Sequence, residues 1–78
     1  MIVIDARGLE PPAPFERVME ALCELQPDQR ILLILEREPF PLYRVLERNG
    51  YAHRTRQSDQ GHFEIEIGAP EVFKSYGA

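Results

Sequence analysis

Hydrophobic positions along the chain change period several times, and each change marks an element. Ile2, Val3 and Ile4 form a short apolar run ending at Asp5, the pattern of a buried strand. Residues 6–14 follow, punctuated by Gly8, Pro11, Pro12 and Pro14, and read as a loop. Pro14 suits the first turn of a helix, where its missing N–H is not needed. Phe15, Val18, Met19 and Leu22 then recur at helical spacing with Leu25 beside them, while Glu16, Arg17, Glu20 and Glu24 form the wet face. The helix should stop by Gln26, before Pro27.

The second half repeats the alternation. Residues 31–35 are continuously apolar and too short for a helix, which fits a central strand. Residues 36–41 make a second proline-marked loop. Leu42, Val45, Leu46 and Asn49 line one side of a second helix, ended by Gly50, which takes the left-handed C-cap conformation without steric strain. Residues 51–58 and 62–67 form a hairpin, in which Phe63, Ile65 and Ile67 alternate with His62, Glu64 and Glu66. A three-residue loop, Asp59-Gln60-Gly61, pairs Arg54 with Glu66 and Arg56 with Glu64, and leaves Tyr51, His53 and Thr55 on the face of Ile65 and Ile67. A two-residue loop would set both arginines beside Phe63 and Ile65, a costly burial of charge.

The expected fold is an α+β two-layer sandwich of order β-α-β-α-β-β over residues 1–68. Right-handed crossovers place both helices on one face of a four-stranded mixed sheet. The first two strands are apolar on both sides, so the open face should carry an oily stripe. The tail, residues 69–78, is expected to cover it with Val72, Phe73 and Tyr76. The alternative cover is a second chain, so the protein is expected to be a monomer or a weak homodimer through that face.

Composition narrows the function classes. With 78 residues, 44% hydrophobic and 28% charged, the chain is expected to be one globular domain with a single core and no deep enclosed active site. A net charge of -4 argues against binding nucleic acid, which rests on clustered cations. The start of the chain has neither a basic lead nor a long apolar run, so no signal peptide or membrane contact is expected. Cys23 is the only cysteine, which excludes an internal disulfide and a thiolate zinc site and points to a reducing cytoplasm.

The segment Asp5-Ala6-Arg7-Gly8-Leu9-Glu10-Pro11-Pro12-Ala13-Pro14 resembles the signature of the TusA-like, or SirA-like, family, D-x-x-G-L-x-C-P-x-P. Asp5, Gly8, Leu9, Pro12 and Pro14 match it, and Glu38-Pro39 sits where the family carries Asp-Pro. The resemblance implies that the family's persulfide-carrying cysteine, favoured as thiolate by the helix N-terminus, is here Pro11, which cannot become a nucleophile. With Glu38-Pro39-Phe40-Pro41-Leu42-Tyr43, the chain looks more like a cysteine-free branch, a bacterial domain of unknown function sometimes joined to hemerythrin-like di-iron domains. That resemblance implies a fold and an interaction role, and no reaction.

If the first two strands are parallel, the loops at their carboxyl ends lie side by side, where ligands bind in such sheets. These loops gather Arg7, Glu10, Arg37, Glu38, Phe40 and Tyr43 as a docking patch of mixed charge with aromatic anchors. The blander alternative is that the prolines only start helices, the charges are solvated and Tyr43 packs locally. The prolines thin the free N–H groups an anion would need, and there is no glycine-rich nucleotide loop. His53 and His62 face opposite sides of the hairpin, on the order of 16 Å apart at strand rise, and cannot share a metal. Glu36 and Glu38 are expected to be solvated rather than an acid/base pair, since a domain this small rarely provides the desolvated pocket that such chemistry needs. The expected function is a cofactor-free, non-enzymatic module for a protein or small ligand. The alternative is a sulfur-transfer or redox accessory using Cys23, which otherwise packs at the margin of the first helix.

Overall fold

Residues 1–74 are described by a computed structural model. Strands β1 (Ile2–Asp5), β2 (Arg30–Leu35), β3 (Ala52–Gln57) and β4 (Phe63–Gly68) alternate with helices α1 (Ala13–Glu24) and α2 (Phe40–Arg48), and a short helix α3 (Pro70–Lys74) follows. The sheet order is β1-β2-β4-β3. β1 runs parallel to β2, while β4 lies antiparallel to both β2 and β3, giving the expected four-stranded mixed sheet.

Alternation of side chains decides which face is buried. Val18 of α1 and Leu42 and Leu46 of α2 pack in one cluster with Ile4, Ile31, Leu33, Ile65 and Ile67. Among the described residues all the fully buried side chains are apolar, so the core they form carries no polar group needing a partner. Both helices therefore cover the same face. Asn49 departs from the expected apolar side of α2: it is exposed, and its side-chain amide donates to the Val45 carbonyl at 2.7 Å, closing the helix end.

The hairpin takes the expected register, with Arg54 opposite Glu66, Thr55 opposite Ile65 and Arg56 opposite Glu64. Its loop is Asp59-Gln60-Gly61, closed by the Ser58 N–H donating to the His62 carbonyl at 2.8 Å. Gly61 has φ +92°, a region side chains other than glycine avoid.

The open face divides into two halves. Across β3 and β4, Glu66 accepts from Arg30 at 2.7 Å and Arg54 at 3.1 Å, and Glu64 pairs with Arg56. Along β1, Met1 and Val3 stay exposed, at 65% and 59%. From α3, Phe73 lies over the Arg30 and Arg54 guanidinium groups, 4.8 and 5.3 Å from its ring centroid. Arg30 also donates to the Val72 carbonyl at 3.2 Å. Tyr76, the remaining residue expected over this face, lies outside the described residues.

Candidate functional site

Because β1 and β2 are parallel neighbours, the chain leaves both at the same end of the sheet, and the two proline-marked loops start side by side. The Ala6 N–H extends the pairing by donating to the Ile34 carbonyl at 2.9 Å. Gly8, at φ +83°, turns its N–H to Glu36 Oε1 at 2.8 Å and so ties the loops together. Between them opens a cleft of about 560 Å³, within the range of ligand sites.

The floor of this cleft is apolar: Ala6 and Leu33 come from below, Leu42 from α2, and Leu9, Phe15 and Leu35 from the sides. Pro11, Pro12, Pro14, Pro39 and Pro41 make stiff walls. Glu10, Glu36, Arg37 and Glu38 bring charge. Of the six residues singled out from sequence, Glu10, Arg37 and Glu38 line the cleft, whereas Arg7, Phe40 and Tyr43 stand outside it.

Each of the three outside residues has a physical reason for its place. Arg7 turns back on Asp5, with Nε and Nη2 donating to the two carboxylate oxygens at 2.9 and 2.8 Å. Those hydrogen bonds, with the Arg7 backbone N–H, hold the Asp5 carboxyl down at about 2. Tyr43 points to β3: its hydroxyl donates to Glu38 Oε2 at 3.0 Å and meets Thr55 Oγ1. With its own proton on Glu38, the phenolic oxygen accepts from Thr55. Phe40, 65% exposed, meets the Tyr43 ring edge-on at 6.0 Å.

Sequence reasoning missed the apolar lining. Leu9 is one available signal, an apolar side chain in an otherwise polar and proline-rich loop. Helical spacing groups Phe15 with the buried stripe of α1, yet it is 40% exposed and forms a cleft wall. Leu35 shares the core-facing side of β2 but ends the strand at the cleft.

The N-terminus of α2 offers little to an anion. At α2 the Phe40 N–H donates to the Glu38 carbonyl, the Leu42 N–H to Pro39, and Pro41 has none. His53 lies against Glu47 and His62 against Glu64, each at 3.1 Å, on opposite faces of the hairpin. Among the described residues no group of three or more His, Cys, Asp or Glu side chains could hold a metal. Cys23 is exposed near the far end of α1, not packed at the helix margin. Among the described residues no helix is long and apolar enough to cross a membrane.

Residues 3–69 match the family described as an uncharacterized conserved protein, DUF2249. A SirA-like protein from Desulfitobacterium hafniense, known from its crystal structure, superposes with a TM-score of 0.77 at 30% identity, over 86% of this chain and 95% of that one. No curated protein matches.

Proposed function

The chain thus belongs to the DUF2249 family of uncharacterized conserved proteins and has a SirA-like fold, and from that premise we propose that it is a non-enzymatic cytoplasmic module that docks a partner in the cleft between its proline loops. The observation that carries this reading is the cleft itself, in which Leu9 and Phe15 stand exposed over a buried apolar base, between stiff proline walls and beside charged side chains. Rigid walls lose little entropy when a partner binds. The resemblance to the sulfur carriers sets Pro11 at the position of their cysteine, and Pro11 lines this cleft. On this reading the position that carries a persulfide elsewhere has become part of a docking wall.

A second reading, a sulfur-transfer or redox accessory, is favoured by the exposure of Cys23. Its thiol lies ten residues beyond Ala13, about 15 Å of helix away from the cleft end of α1. Such a role would use a different surface from the family's sulfur site.

The test is capture of partners from native lysate by the intact protein, by Leu9→Asp and Arg37→Ala variants, and by Cys23→Ser, each checked for folding. A partner kept by Cys23→Ser and lost by Leu9→Asp supports cleft docking. A partner lost only with Cys23→Ser would transfer the function to the thiol.

A further inference from the structure

The acids of the open sheet face and those of the cleft are held in different ways. On the open sheet face each carboxylate has an arginine: Asp5 has Arg7, Glu64 has Arg56, and Glu66 has Arg30 and Arg54. At the cleft the pattern reverses. Glu36 is held by the Gly8 N–H and Glu38 by the Tyr43 hydroxyl, both neutral donors that orient a carboxylate without cancelling its charge. Glu10 has no ion pair among the described residues, and Arg7, within electrostatic range of Glu36, is engaged by Asp5. Against three cleft carboxylates stands the single guanidinium of Arg37.

The floor is different again. Three backbone donors beside it are already used: Ala6 N–H on Ile34, Leu9 N–H on Ala6 at 3.2 Å, Leu42 N–H on Pro39 at 3.0 Å. A polar group pushed against these apolar side chains would lose water and find those three donors taken, whereas an apolar side chain gains by leaving water. The carboxylates are also spread over both loops, Glu10 on one and Glu36 and Glu38 on the other. A single small cation cannot meet both sides while filling a cleft of about 560 Å³.

Taking the cleft as a docking site, we infer that its occupant is a basic peptide segment of a partner protein, with one bulky apolar side chain on the floor and Lys or Arg on either side of it. Glu36 and Glu38, fixed in place before binding, receive one flank, and Glu10 the other. Tyr43 enters as a positioning residue through Glu38.

The experiment is selection of a displayed random-peptide library on the intact protein, followed by titration of the selected synthetic peptides with amide shifts as the readout. Selected sequences should carry Leu, Met or Phe between basic residues and shift the amides of Leu9, Leu35 and Arg37. Their affinity should fall with salt, and by about five- to tenfold in Glu38→Lys or Glu10→Lys. Peptides that map to the cleft but are neutral or acidic would overturn the charge rule and leave cleft docking intact. Peptides that map elsewhere, or bind Leu9→Asp equally well, would overturn both. Failure to select any peptide would overturn the inference, while lysate capture still decides the docking reading.

Discussion

The ring of Tyr43 lies flat on the imidazole of His53, centroids 4.3 Å apart and planes 6° from parallel, while its hydroxyl joins Glu38 to Thr55. One side chain thus links α2 to β3 and holds a cleft carboxylate. Removing the hydroxyl leaves the half-buried Thr55 without that partner and frees Glu38. Tyr43→Phe is expected to lose about 1 kcal/mol of stability, with stacking retained. A urea midpoint unchanged from wild type would show that the hydroxyl contributes nothing net.

The same contact sets an alkaline limit. Burial, together with the Glu38 carboxylate, raises the Tyr43 pKa above its ordinary 10.0, against the opposing pull of Thr55. The folded state therefore keeps a proton that the unfolded chain gives up. This stabilisation is present in full below pH 10.0 and is lost as the pH rises through the folded value. Stability measured above that pH should fall more steeply in wild type than in Tyr43→Phe. Parallel curves would contradict the assignment.

At the acid end the open face governs. Asp5 is held at about 2 by Arg7, and Glu64 is lowered by Arg56 and then His62. Partial burial pushes Glu66 up, but hydrogen bonds from Arg54 and Arg30 outweigh it and leave it lowered. Depressed carboxylates stabilise above their ordinary values, 3.8 for Asp5 and 4.5 for the glutamates, and lose that contribution as the pH falls through the folded ones. The urea midpoint should decline below about pH 4.5, and less so in Glu66→Gln, which has no charge to lose. An equal decline in that variant would remove Glu66 from the acid response.

The pairing behind this response is legible in the amino-acid sequence. Setting Arg54 and Arg56 opposite Glu66 and Glu64 is the register that keeps both cations off the core, so alternation and one glycine suffice. The adjacency of the two loops follows from parallel β1 and β2. Rotamer choice is what a linear pattern does not carry. Arg7 sits in the loop but its nearest strong acid is Asp5, and Tyr43 finds Thr55 across α2 and β3. Helical period alone puts Phe15 with Val18, yet Phe15 is one turn nearer the cleft and partly exposed there.

Phe73 tests how α3 is held. Its ring covers two arginines already joined by Glu66, so its removal exposes both guanidinium faces. Phe73→Ala is expected to destabilise the protein by about 1–2 kcal/mol, with faster amide exchange confined to α3 and its neighbours. Faster exchange spread over the whole sheet would mean that α3 supports the core as a whole.

Cleft docking is tested most directly by photo-crosslinking in cells, with a photoreactive residue placed at Leu9 in the cleft or at Val3 on the open face. Both positions are exposed, at 37% and 59%, so the probe disturbs little packing at either. A partner crosslinked from Leu9 and not from Val3 is the predicted result. A partner crosslinked from Val3 alone would contradict cleft docking and place the working surface on the open sheet.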